Sequence, residues 1–148
     1  MDIKSVSPQE ACDLLTREEG YVYLDVRSTP EFSEGHPQGA LNIPLHHAQP
    51  ETGQMTPNPD FLTVVRANFS ADAKLLLGCF SGGRSMMAAE MLGRAGYRNL
   101  LNVRCGFGGA RDATGRVVEP GWASLGLPVE QESRPGTSYE PLLKKARP

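Results

Sequence analysis

Cysteine is scarce in this chain of 148 residues, which has three, Cys12, Cys79 and Cys105, and no CxxC pair. A sparse and odd count argues against a disulfide framework, and the absence of CxxC spacing argues against a structural zinc site. His46 and His47 are adjacent, so in an extended chain their rings point to different sides. We therefore expect no metal and no other cofactor.

The sequence also lacks a strong excess of charge and a long apolar run. Its formal net charge is −2, and no basic stripe indicates a nucleic acid or a membrane surface as partner. No apolar stretch approaches the roughly 18 residues of a membrane span. The first residues, 1–5, lack the apolar run of a signal peptide, so we expect a cytoplasmic protein. A hydrophobic share of 39% and a charged share of 22% are typical of one globular domain.

Apolar segments typical of strands alternate with segments of helical periodicity. Alternation of this kind predicts βαβ units and a mainly parallel sheet with helices on both faces. The continuous apolar run before Cys79 favours a central strand. Strands are predicted at 21–26, 39–44, 74–79 and 100–103, helices beginning near Ser7, Thr29, Asp60 and Ser85, and a surface loop at 45–58.

The segment of greatest chemical interest joins the third predicted strand to the helix near Ser85. Ligands of open α/β sheets bind at the carboxyl ends of strands, where helix N-termini present free N–H groups and partial positive charge. Glycines allow such a loop to curl, so that several N–H groups converge on one anion. Arg84 adds a cation at the helix start. The loop reads Cys79, Phe80, Ser81, Gly82, Gly83, Arg84 and Ser85.

A cysteine in such a cradle is expected to act as a nucleophile, because the surrounding dipoles favour its thiolate form. The same N–H groups would stabilise a persulfide, whose outer sulfur carries negative charge. Buried structural cysteine is the simpler interpretation of Cys79, but the two glycines and Arg84 favour chemistry.

Three motifs together resemble the rhodanese family over roughly residues 3–130. The first is Asp25-Val26-Arg27 with Glu31-Phe32 and the stretch 35–44, where Pro37-Gln38 replaces the usual Ile-Pro before Gly-Ala. The second is the Cys79 loop. The third is the Gly-Gly pair within 105–109.

The resemblance implies an open, mainly parallel five-stranded sheet and a single-domain sulfurtransferase. Sulfane sulfur would pass from a donor such as thiosulfate to cyanide or a thiol, including thioredoxin or another protein thiol, through a Cys79 persulfide. Cys79 and Arg84 would be catalytic, and Asp25 and Arg27 would lie close to the loop, where a salt bridge supporting it is favoured. Substrate binding would fall to Phe80, Ser81, Gly82, Gly83 and Ser85.

Two alternatives remain open. The related dual-specificity phosphatases carry a loop one residue longer than the four residues between Cys79 and Arg84. A phosphatase is therefore the enzymatic alternative, and a non-catalytic rhodanese module that binds partners is the other.

The remaining candidates receive mainly structural interpretations. Cys12 is expected in the core, Cys105 beside the pocket without a required role, and His36 in support of its turn. Arg104 and Arg111 either frame the pocket mouth or are solvated.

We expect the domain to cover residues 1–130. The segment 131–148 is polar and is expected to be a mobile tail, although its apolar residues could dock on the domain; these are Tyr139, Leu142 and Leu143.

Overall fold

The computed structural model describes residues 3–131 and 136–146 and is built on a five-stranded sheet in which every pairing is parallel. Its strands are β1 (Lys4–Val6), β2 (Tyr21–Asp25), β4 (Leu41–Asn42), β7 (Lys74–Gly78) and β8 (Asn99–Val103). Their spatial order is β1-β8-β7-β2-β4. The strand that leads into Cys79, β7, is the middle one, as its apolar run predicts.

Helices cover both faces of the sheet. Alternate residues of β7 point to opposite sides, so Leu75 and Leu77 join one buried cluster and Leu76 joins the other. The helices are α1 (Pro8–Thr16), α2 (Thr29–Glu34), α3 (Phe61–Asn68), α4 (Gly83–Arg94) and α5 (Tyr139–Ala146). The first cluster includes side chains of α3, α4 and α5, and the second includes side chains of α1 and α2 together with Trp122.

Three short antiparallel pairs lie outside the main sheet. The stretch expected as a surface loop, 45–58, contains one of them, a hairpin in which His47 pairs with Thr56. The pairs are β5 (His46–Ala48) with β6 (Met55–Pro57), β9 (Ala110–Arg111) with β10 (Val117–Glu119), and β3 (His36–Pro37) with β11 (Val129–Glu130).

The structure corrects the prediction of a mobile tail for residues 136–146. The helix α5 places Tyr139 and Leu142 in the first core cluster, where they are 8% and 2% exposed. Asn68 of α3 donates its side-chain N–H to the carbonyl oxygen of Leu142 at 2.9 Å. Apolar residues at positions i, i+3 and i+4 form one face of a helix, and here that face covers α3. The tail residues 132–135 and 147–148 lie outside the described part of the chain.

Candidate active site

Cys79 follows directly on β7 and is 2% exposed. Gly82, the residue before α4, has a φ of +106°, a conformation that glycine adopts without strain. In that conformation the backbone N–H of Gly82 donates to Sγ of Cys79 at 3.0 Å. The strand end, the glycine turn and the N-terminus of a helix therefore hold the sulfur as the loop sequence predicts.

Ser85 provides a second polar contact to the sulfur. Its Oγ lies 3.4 Å from Sγ of Cys79 and only 2.5 Å from Oδ1 of Asn102. A hydroxyl has one proton to donate, and the shorter distance indicates that Asn102 receives it. Asn102, on β8, did not emerge from the sequence, although an asparagine within the apolar run Leu100–Val103 is the signal that could have identified it.

The guanidinium of Arg84 is occupied by a carboxylate of the protein. Its Nη1 and Nη2 donate to Oε1 and Oε2 of Glu31, on α2, at 2.7 and 2.9 Å. Burial raises the pKa of Glu31, but the bonds from Arg84 and Ser28 outweigh it and lower that pKa to about 2. The pairing likewise raises the pKa of Arg84. Arg84 thus joins the loop to α2, and its charge is largely balanced.

Asp25 and Arg27 form a buried ion pair at the end of β2, beside the strand that carries Cys79. Nη2 of Arg27 lies 2.7 Å from Oδ2 of Asp25 and also donates to the carbonyl oxygen of Gly35 at 2.7 Å. The guanidinium lies over the ring of Phe107, 4.6 Å from its centre. This geometry matches the structural salt bridge that the sequence favours.

The turn 105–109 packs on the back of the Cys79 loop. Phe107 and Gly108 donate their backbone N–H groups to the carbonyl oxygens of Cys79 and Phe80 at 2.8 and 2.7 Å. Gly106 has a φ of +48°, and a Cβ there would overlap the carbonyl oxygen of Cys79. The third motif therefore determines the position of the loop.

Cys105 begins this turn and is 1% exposed, with a φ of +71°. Burial raises its pKa, and a hydrogen bond with Glu119 adds to the effect, so that the pKa is about 11. Cys105 is thus a neutral thiol at neutral pH. Cys12, on α1, is partly buried and packs against the second core cluster.

A cavity of about 240 Å3 opens beside the loop. Its lining consists of Arg27, Glu31, Glu34, Gly35, Phe80 and Phe107. Of the other loop residues, Ser81 and Gly83 are exposed. The guanidinium of Arg111 lies 5.6 Å from the ring centre of Phe80, whereas Arg104 forms ion pairs with Glu119 and Glu10 at 3.3 and 3.7 Å. Only Arg111 of these two arginines is near the cavity wall.

The side chains of His36 and His47 contact protein groups. His36 is fully buried, and its Nδ1 lies 2.7 Å from the carbonyl oxygen of Phe32, in keeping with support of its turn. The ring of His47 lies 5.8 Å from that of Tyr139. Within residues 3–131 and 136–146, no three His, Cys, Asp or Glu side chains cluster as a metal site would require. The helices of the same ranges include none with the length and apolar character needed to span a bilayer.

Several curated proteins are similar to this chain in sequence. Thiosulfate sulfurtransferase 16, a chloroplastic protein of Arabidopsis thaliana, is 39% identical over 126 residues, which cover 85% of this chain and 92% of that protein. Thiosulfate sulfurtransferase 18 of A. thaliana is 37% identical over 108 residues, covering 72% and 76%. Some relatives are longer, since the chain spans 54% of senescence-associated protein DIN1 of Raphanus sativus, with 38% identity and 76% of this chain covered.

Solved structures show the same fold. The crystal structure of Rv0390 from M. tuberculosis superposes with a TM-score of 0.73 at 29% identity, covering 89% of this chain and 100% of that one. A rhodanese-related protein of Thermoplasma volcanium has a TM-score of 0.54 at 24% identity, covering 87% and 99%. The family model of the rhodanese-like domain matches residues 7–113. The chain therefore belongs to the rhodanese-like domain family.

Proposed function

We propose that the protein is a sulfurtransferase that moves sulfane sulfur from a donor such as thiosulfate to a thiophilic acceptor through a persulfide on Cys79. The observation that carries this proposal is the 3.0 Å hydrogen bond from the N–H of Gly82 to Sγ of Cys79 at the start of α4. A sulfur held by backbone donors at a helix N-terminus is stabilised as an anion before and after it reacts. The names of the thiosulfate sulfurtransferase relatives support the same reaction class.

In the first step the Cys79 thiolate attacks the outer sulfur of thiosulfate. A sulfur–sulfur bond forms to Sγ, the sulfur–sulfur bond of thiosulfate breaks, and sulfite leaves with the bonding electron pair. The negative charge now resides on the outer sulfur of the persulfide. The N–H of Gly82, which already donates to Sγ, would help to stabilise that charge at the start of α4, and the exchange as written needs no cofactor.

In the second step a nucleophilic acceptor attacks the outer sulfur. Cyanide would leave as thiocyanate, whereas a thiolate would leave as its own persulfide, and in both cases Cys79 departs as the thiolate. A small thiol, thioredoxin or another protein thiol is a suitable acceptor by this chemistry. Arg84 acts in this scheme by positioning the loop through Glu31.

We also propose that the protein is located in the cytoplasm.

Intact-mass measurement after thiosulfate treatment tests the proposal directly. The protein should gain one sulfur atom and lose it when cyanide is added, with thiocyanate released. Cys79→Ser should neither gain sulfur nor turn over, while Cys12→Ser, which changes a partly buried cysteine on α1, should behave as the unmodified protein. Sulfur gained by Cys79→Ser, or no sulfur gained by the unmodified protein, would contradict the proposal.

The same preparation distinguishes sulfur transfer from the two alternatives. Four residues separate Cys79 from Arg84, a spacing we expect to suit one sulfur atom and to crowd the oxygens of a phosphoryl group. Aryl phosphate hydrolysis that depends on Cys79 and exceeds sulfur transfer would favour a phosphatase. An intact fold with neither activity would favour a binding module.

A further inference from the structure

The cavity beside the Cys79 loop is positioned to receive one of the two substrates. Phe80, which follows Cys79 in the chain, lines it, and Phe107, whose N–H bonds the carbonyl oxygen of Cys79 at 2.8 Å, lines it as well. At about 240 Å3 the cavity suits a small organic molecule rather than a long peptide.

Two aromatic rings give this cavity its apolar surface. Phe80 is a large apolar residue, yet 36% of its surface is exposed. Contact of this apolar surface with water is unfavourable in free energy, and a ligand that covered it would remove that contact. The Phe107 ring is fixed from one side by Arg27, whose guanidinium lies 4.6 Å from the ring centre. An organic group could lie against these rings, whereas cyanide and thiosulfate have no apolar part to place there.

The charges of the lining leave a negative excess. Arg27 is neutralised by Asp25 at 2.7 Å, and Glu31 is neutralised by Arg84 at 2.7 Å. Glu34 is exposed, and its carboxylate makes no hydrogen bond or ion pair with any residue of 3–131 or 136–146. Among the described lining residues, one carboxylate, that of Glu34, is therefore uncompensated.

Among residues 3–131 and 136–146, Arg111 is a further cation close to the lining, since its guanidinium lies 5.6 Å from the ring centre of Phe80, but it is not part of the lining. Its Nη1 donates to the carbonyl oxygen of Gly115 at 3.1 Å, which directs this part of the guanidinium toward the β9–β10 hairpin. Within the described part of the chain, the carboxylate of Glu34 is thus the uncompensated charge that a molecule inside the cavity meets.

We propose that this cavity binds the sulfur acceptor and selects small thiols that carry a positively charged amine over thiols that carry a carboxylate. The inference rests on the proposed function and names the acceptor class of the same site. The thiol would approach Cys79 while its ammonium group lies at Glu34 and its carbon chain lies against Phe80 and Phe107. An exposed pairing of this kind changes rates by a factor of about five and weakens as salt is added.

The test uses cysteamine and 3-mercaptopropionate, which have similar size and opposite charge. Protein loaded with thiosulfate and freed of excess donor is mixed with each thiol, and the loss of the Cys79 persulfide is followed by mass. Glu34→Gln should lower the ratio of the cysteamine rate to the mercaptopropionate rate by about fivefold at low salt. Glu51→Gln, which removes an exposed carboxylate on the β5–β6 connection, should leave that ratio unchanged.

A second measurement does not require sulfur transfer. The Cys79 thiolate should attack one sulfur of cystamine or 3,3′-dithiodipropionate, forming a mixed disulfide as the disulfide bond breaks and cysteamine or 3-mercaptopropionate leaves as the thiolate. The ratio of the two rates should show the same dependence on Glu34. Equal ratios in the unmodified protein and in Glu34→Gln, in both measurements, would overturn the inference. Failure of thiosulfate to load Cys79 would instead overturn the proposed function, while the disulfide rates would still decide the selectivity of the cavity.

Discussion

The backbone N–H of Phe107 donates to the carbonyl oxygen of Cys79 at 2.8 Å, so the proposed nucleophile is held by a residue that lies 28 positions further along the chain. The hydrogen bond from Gly108 to Phe80 repeats the contact one residue later at 2.7 Å. The two bonds hold the loop from behind, while the N–H of Gly82 donates to Sγ of Cys79 from within the loop. Precise placement of the loop therefore depends on the close packing of the turn.

Gly106→Ala should disturb this packing. A Cβ at Gly106 would overlap the carbonyl oxygen of Cys79, and the φ of +48° adds strain for any residue other than glycine. Gly115→Ala is the matched control, because Gly115 also has a positive φ, +84°, but nothing lies within 4 Å of its Cβ position. We expect each variant to lose about 1 kcal/mol from strain. Only Gly106→Ala should lose thiosulfate-to-cyanide activity, and equal activities would contradict the role assigned to the turn.

The central part of the site could be predicted because its signals are local. The apolar run of β7, the glycines of the loop and the start of α4 lie within 74–85, and the structure places them as expected. The partners that complete the site are distant in sequence. Glu31 is 53 residues from Arg84, and Asn102 is 17 residues from Ser85. One sequence carries no direct information on which polar residues meet across such separations.

The parts of the fold that escaped prediction have weak or mixed patterns. The strand β1 has three residues, two of them exposed, so it shows no alternation. The β5–β6 hairpin lies in a proline-containing stretch that favours an irregular loop. The apolar residues of α5 have helical spacing, but the sequence around them is polar and favours a mobile tail. Its docking on α3 depends on tertiary contacts that composition does not report.

The ion pair between Glu31 and Arg84 should make stability depend on pH in the acid range. The folded-state pKa of Glu31 is lowered from 4.5 to about 2, so its stabilising effect is complete above pH 4.5 and is lost as the pH falls toward 2. Glu31→Gln removes this titration. We expect the thermal midpoint of the unmodified protein to fall more steeply than that of the variant over this range, as measured by calorimetry. Parallel curves would show that the pair contributes nothing measurable.

Cys105 should react more slowly than Cys79 with iodoacetamide at neutral pH. Its pKa of about 11 keeps the Cys105 thiol protonated, and a protonated thiol is a poor nucleophile. In a Cys12→Ser background, mass mapping should find the label on Cys79 first. Glu119→Gln removes a group that raises the Cys105 pKa, so labelling of Cys105 should begin at lower pH.

Cys105→Ser should retain most of the thiosulfate-to-cyanide activity, and loss of turnover with persulfide accumulating on Cys79 would assign Cys105 a required role.

Leu142→Ala should destabilise the domain. Leu142 is 2% exposed in the core between α3 and α5, and truncation of a buried leucine costs about 2–5 kcal/mol. Leu125→Ala is the control, since Leu125 is 42% exposed and its truncation should cost about 0.5 kcal/mol or less. Urea titration measures both. Similar midpoints for the two variants would mean that α5 contributes little to stability.

The all-parallel sheet has a consequence for how the domain assembles. Among the described strands, its edge strand β1 pairs with β8 alone, with Lys4 opposite Leu101 and Val6 opposite Val103. During synthesis, residues 4–6 leave the ribosome long before their pairing partner exists. The chain loses the conformational entropy of so long a loop before the contacts between β1 and β8 can form. Topologies with such distant pairings therefore fold slowly. The loop that carries Cys79 is bonded from behind by Phe107 and Gly108, so it acquires this support only after the chain has been made beyond β8.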